Sequence, residues 1–292
     1  MVNPCADAFS SLIRTCLILL CVPSLLNANV PLPSKQQETV QTASQIDARE
    51  ALNRGVMAFK NGQTEEAEQF FAQAKAFDPY FLNARLYLAT AFASRYIPGA
   101  STDENMKLAH QAIEEFKGVL GLDPNNLSAL DGMGSLLFQM ASGEPFSPDF
   151  FVESKSYHQR HIQLSPEDPE PYFWIGVIDW TLAFRANGQL RERFNSEVRK
   201  LDDADALPPG LRQQYEQEYG PTIEEGIGSM DQAIKLRPDY DDAMAYLNLL
   251  YRRKADVTAD DEERERLLKA ADDLVDKVKE IKEARAKTPA RN

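Results

Sequence analysis

Apolar and polar residues follow a helical rather than a strand-like rhythm along most of the chain. From Ala74 the sequence reads AKAFDPYFLNARLYLA: one apolar stripe runs into Asp-Pro, and a second begins a few residues later. The same arrangement returns in GLDPNNLSALDGMGSLL from Gly121, QLSPEDPEPYFWIG from Gln163 and KLRPDYDDAMAYLNLL from Lys235. A proline lacks the N–H needed to continue a helix, so each stretch predicts one helix ending and another starting after a short turn. Glycine is scarce, β-branched alternation is hard to find, and Ala, Leu, Glu and Gln dominate, all of which favours helix. The expected fold class is all-α.

The spacing inside these units repeats. From Gly55, small residues follow at Ala67 and Ala74, an aromatic at Phe71 and a proline at Pro79. Small residues let two helices approach closely, and Phe71 supplies a packing knob. Asn61-Gly62 breaks the first helix, and Thr64 is expected to cap the second. This pattern resembles the tetratricopeptide repeat (TPR), a 34-residue helix-turn-helix unit, and the resemblance covers roughly Ala48 to the C-terminus. The second copy is marked by Leu88, Ala89, Phe92, Ala112, Phe116 and Pro124. The third has Met133, Gly134, Ser154 and Pro166. The fourth has Tyr172, Ile175, Gly176, Gly226, Met230, Ala233 and Pro238, and a fifth starts at Asp241 with Leu247 and Tyr251. The resemblance implies an α-solenoid of about five helix pairs, because one pair cannot bury its apolar face alone.

The departures from the family period are informative. The four prolines are 45, 42 and 72 residues apart. The first two excesses fit longer turns at RYIPGASTDEN and SGEPFSPDF. The third spans about 187–221, where Leu190, Phe194, Val198 and Leu201 form one stripe and LPPG starts another short helix through Tyr219. It is either a degenerate sixth repeat or an inserted helical arm. The solenoid is thus expected over 48–258. A C-terminal helix at 259–287, capped by Thr258, carries Leu267, Ala271, Leu274, Val278 and Ile281 on one stripe. This helix either covers the last repeat or forms a coiled-coil dimer.

The N-terminus has a different texture. Arg14 precedes the uncharged run TCLILLCVPSLL, too short to span a bilayer core of ~30 Å. It reads as a secretory signal peptide over 1–28, with a retained anchor as the alternative. All three cysteines lie within it, so the remainder has no disulfide, thiol nucleophile or thiolate metal site. Residues 29–47, rich in Pro, Ser, Thr and Gln, are expected to be a disordered linker. The expected location is the periplasm or the cell exterior, with no membrane insertion of the mature chain.

A net charge of −13 argues against nucleic acid or an anionic membrane as the main ligand. No sequence signature of a nucleophile, phosphate loop or metalloprotease is present, so no catalytic activity and no cofactor is expected. One pair invites a metal reading. His158 and His161 are three apart on one helix, with Glu153 or Asp168 as further ligands. They also occupy the places of Phe71 and Ala74 in the first repeat, which favours packing.

In the fourth repeat, Tyr172, Ile175, Gly176 and Asp179 fall on the face that the repeat pattern buries. Within the family another face of each first helix lines a concave groove where partners bind. The resemblance places Phe59, Leu86, Phe138, Phe173, Trp180, Leu249 and Arg252 on that face, with ordinary inter-repeat packing as the other use for each. Some family members clamp C-terminal carboxylates with lysines and asparagines; Leu52, Leu86, Phe173 and Ala245 stand at those places, so no such clamp is expected. The implied ligand is an apolar, basic segment or helix of a protein partner. The function expected from these features is a non-catalytic, exported interaction scaffold. The alternative is a periplasmic metal- or small-molecule-binding module using His158/His161 or the inserted arm.

Overall fold

A computed structural model describes residues 35–143, 146–197, 201 and 205–287. The predicted signal peptide and residues 29–34 lie outside them. The chain divides into Met1–Gln41 and Thr42–Asn292. The described part of the first unit is the opening of helix α1.

Ten helices and no strand occur among the described residues: α1 Lys35–Lys60, α2 Thr64–Phe77, α3 Leu82–Arg95, α4 Asp103–Leu122, α5 Leu127–Ser142, α6 Pro148–Leu164, α7 Pro169–Glu197, α8 Pro209–Leu236, α9 Asp241–Val257 and α10 Asp261–Lys287. They form five helix-turn-helix pairs, each packed on the next.

The junctions between pairs share one construction. Helices α2, α4, α6 and α8 each end two residues before their proline. The residue between donates its N–H four back: Asp78 to Ala74, Asp123 to Val119, Ser165 to His161 and Arg237 to Ala233. The chain then turns through one further bond, Phe81 to Asp78, Asn126 to Asp123, Asp168 to Ser165 and Tyr240 to Arg237. Each proline thus sits where no N–H is required, and the next helix starts three residues later.

Within the first pair and between the second and third, buried rings meet glycines. Phe71 and Phe116 are enclosed, and they lie against Gly55 and Gly132, where a β-carbon would collide with their rings. Burying such a ring is worth ~1.5–3 kcal/mol. The turn at Asn61-Gly62 is confirmed by the left-handed backbone of Gly62, φ 76°. The longer turns also fall where expected. Between α3 and α4, the buried Asn105 accepts from Ile97 N–H and donates to the carbonyls of Ile97 and Ala100, which holds that turn closed.

Several boundaries differ from the sequence reading. Helix α1 starts at Lys35, so 35–47, read as disordered linker, is helical. Its Gln- and Ala-containing sequence joins directly to the packed residues Ala48, Ala51 and Leu52. The N-cap of α2 is Gln63, with Thr64 its first helical residue. Thr258 terminates α9, and Asp260 accepts from Glu263 N–H at the start of α10.

The stretch 187–221 is neither a sixth repeat nor a separate arm. Its two halves lengthen α7 and α8, which continues through Pro221, and bring Leu190, Leu201, Leu207 and Tyr215 into one core. Val198 of the predicted stripe lies outside the described residues. Helix α10 packs on α9 through Leu267, Ala271 and Leu274 and is the second helix of the fifth pair. Its outward positions are charged, which suits a solvent-facing end.

Candidate binding face and the histidine cluster

Phe138 on α5, Phe173 and Trp180 on α7 belong to one aromatic array that crosses three first helices. Phe138 meets Trp174 edge-on at 5.6 Å, and Trp174 meets Phe173 at 5.7 Å. Phe173 reaches Tyr246 of α9 at 5.7 Å, and Tyr246 reaches Trp180 at 5.2 Å. Trp180 stacks on Phe184 at 5.1 Å, and Phe184 is 49% exposed. The array exists because α7 places Phe173, Trp180 and Phe184 at intervals of seven and four, one helical stripe. The other three members come from the same register on its neighbours or from the position beside it.

The remaining predicted residues are placed differently. Phe59 and Leu86 are half-buried against the cores of the first two repeats, away from the array. Leu249 is half-buried on α9. Arg252 turns to α10, where it pairs with Asp272 at 2.6 Å, so its charge is used within the fold. The sequence reading missed Trp174, Phe184 and Tyr246. Trp174 and Tyr246 each follow directly on a position assigned to the groove, Phe173 and Ala245, and that adjacency was the available signal.

Charge around the array comes from groups already tied into the fold. Glu170 accepts from Arg237 at 2.8 Å and from the hydroxyl of Tyr240 at 2.9 Å. Arg185 lies over Phe146 at 4.5 Å and donates to Ser142 O. Asp242 is exposed at the start of α9.

His158 and His161 are buried on α6, and they pack as the repeat pattern requires. His158 lies against Gly134 and stacks on Trp174 at 5.9 Å. Neither of its ring nitrogens has a hydrogen-bond partner; its Nδ1 is 3.7 Å from Asp131 Oδ1, too long for one. His161 Nδ1 donates to Asp131 Oδ1 at 2.7 Å, since a carboxylate only accepts. Its Nε2 stands 3.4 Å from Asp168 Oδ2. Glu153 is exposed. Among the described residues no group of three or more His, Cys, Asp or Glu is placed to hold a metal ion.

A second buried polar site lies beneath the array. Asp179 of α7 accepts from Lys155 of α6 at 2.7 Å, and Lys155 also reaches Glu225 of α8 at 2.9 Å. Burial pushes the Asp179 carboxyl up to about 7, against the pull of Lys155.

Paired helices, rings seated on glycines and prolines just past α2, α4, α6 and α8 define an all-α helical repeat of the TPR type. Solved structures similar to it include MamA, residues 41 to the end, from Desulfovibrio magneticus RS-1, at 16% identity and TM-score 0.53 over 82% of this chain and 96% of that one. A second MamA structure aligns at 16% identity and TM-score 0.51 over 84% and 97%. YrrB, described as a TPR protein with an unusual peptide-binding site, aligns at 14% identity and TM-score 0.49 over 86% and 100%. At such identities the likeness is one of fold. No family model matches the sequence, and no curated protein matches it. No described helix is long and apolar enough to cross a membrane.

Proposed function

We propose that this protein is an exported, non-catalytic scaffold that holds an apolar, basic segment of a partner protein across the first-helix face of its last three repeats. The observation that carries this reading is the aromatic array from Phe138 to Phe184. Six large rings, most of them half-buried, form one surface spanning three helices, and such rings supply contact area at low entropic cost. The chain's net charge of −13 supports a basic rather than an acidic partner. Support for export comes from the sequence alone, in the short apolar run after Arg14.

The test uses the full chain in its native host. Affinity capture is run beside Phe184→Asp and Trp180→Asp, with the contents of the periplasm, culture medium and cytoplasm analysed separately. One stoichiometric partner outside the cytoplasm, lost in Phe184→Asp while thermal stability is kept, is the expected result. An unchanged partner set in both variants would move the interface off this face, and a cytoplasmic chain with an intact N-terminus would overturn export.

A further inference from the structure

Asp179 stands at a place that the other repeats give to apolar side chains. Three residues after Gly55, Ala89, Gly134 and Asn248 come Ala58, Phe92, Leu137 and Tyr251; three after Gly176 comes Asp179. It is 0% exposed, and its Oδ2 has no hydrogen-bond partner. A carboxylate in such a position is costly, because its second oxygen gives up water and receives nothing in return.

The surroundings leave no room for that water. Helix α8 comes in at Gly226, where a β-carbon would stand 3.0 Å from Asp179 Cβ and 3.0 Å from Leu250 Cδ2 of α9. The charged groups facing Asp179 are Lys155 from α6 and Glu225 from α8, and Lys155 is divided between the two carboxylates. From α9 the facing side chain is Leu250. Oδ2 is sealed from solvent where α6, α7 and α8 meet, so its hydration requires these helices to part.

We propose that the contact between Asp179 and Gly226 is a proton-linked hinge: it closes dry when Asp179 is neutral, and ionisation of Asp179 hydrates it and opens it. The open form has a hydrated carboxylate that titrates near the ordinary aspartate value of ~3.9. The closed form holds its proton to about 7. Opening thus releases one proton between those limits. The open population rises about tenfold per pH unit across that range and levels off above it. Because Trp180 is the next residue and touches Tyr246 of α9, opening also loosens the aromatic face.

Hydrogen exchange of the full chain, followed by mass spectrometry and corrected for intrinsic rates, tests this. Peptides covering Trp174–Leu182 and Thr222–Met230 should lose protection about tenfold per unit between about pH 5 and about pH 7, then level off. Peptides from α3 and α4 should show no such slope. In Asp179→Asn the slope should vanish, with protection held at its acid level. A flat wild-type profile overturns the hinge, as does the same slope in Asp179→Asn. If Asp179→Asn does not fold, the carbon-13 shift of the Asp179 carboxyl in the wild type decides: titration in the ordinary carboxylate range overturns the proposal, and titration near neutrality upholds it.

Discussion

The imidazole of His158 stands where a side chain on Gly134 would have to go: a β-carbon there would lie 2.5 Å from Nε2. Phe71 has the same relation to Gly55, Phe116 to Gly132 and Met230 to Gly176. The knobs differ in stiffness. A buried phenyl ring has nowhere to turn, while a methionine bends at three bonds. Alanine at these glycines gains up to ~1 kcal/mol in helix propensity and loses ~1–3 kcal/mol where the knob cannot yield. Gly55→Ala and Gly132→Ala should therefore lower the urea midpoint, and Gly176→Ala should lower it less. Equal losses at all three would contradict this account of the packing.

His158 itself fills a phenylalanine place with both ring nitrogens unpaired. Phenylalanine there keeps the shape and the stacking on Trp174 while removing two stranded polar atoms. His158→Phe should be neutral or stabilising, by up to ~1–2 kcal/mol. A large loss of thermal stability would mean that the imidazole has a polar role.

The acid response should turn on Asp131. Burial pushes its carboxyl up, but the hydrogen bond and charge from His161 outweigh that and hold it below its ordinary value. A carboxyl lowered on folding stabilises the fold above its unfolded value of ~3.9, and that contribution is lost as pH falls through the folded value. Asp179 is raised instead, so its contribution is present below ~3.9 and lost as pH rises through about 7. Together they predict greatest stability near pH ~4. Asp131→Asn should flatten the acid limb, and Asp179→Asn should flatten the decline towards neutrality. Denaturant titrations across pH would show whether either limb survives its own substitution.

The extension of α7 and α8 is closed by a buried ion pair. Arg191, 3% exposed, reaches Asp256 at 3.1 Å, and Asp256, 5% exposed, also holds Arg253 at 3.1 Å. Arg191 donates to Asn187 and to Asp205 O as well. Arg191→Met removes its bonds to Asp256, Asn187 and Asp205 O while Asp256 keeps Arg253 and Asn187, so it should cost ~1.5–3 kcal/mol. Adding Asp256→Asn should recover part of that loss, and a double-mutant cycle measures the coupling. Strict additivity would show that the two side chains stabilise the extension independently.

Much of this protein was legible along the chain. Gly55, Phe71, Ala74 and Pro79 announce the repeat, because helix stop signals and small-residue contacts are local properties of sequence. The turns around Asn105 and after Ser142 followed from the spacing of the prolines, and the packing role of His158 and His161 followed from their register with Phe71 and Ala74. The stripe Phe173, Trp180 and Phe184 is equally local.

Other features depend on which helix lies beside which, and no single segment carries that information. The residues of 187–221 lengthen a helix pair because Leu190, Leu207 and Tyr215 find one another across the turn. Arg252 pairs with Asp272, twenty residues on, which only the packing of α10 on α9 brings within reach. Trp174 and Tyr246 join the array through contacts between α5, α7 and α9. Asp179 reads in the sequence only as a carboxylate on a buried face. Its poise arises from Lys155, Glu225 and the missing side chain of Gly226, which reach it from two other helices. Period and punctuation are written residue by residue, whereas burial of charge and continuity of a surface arise only when distant helices pack.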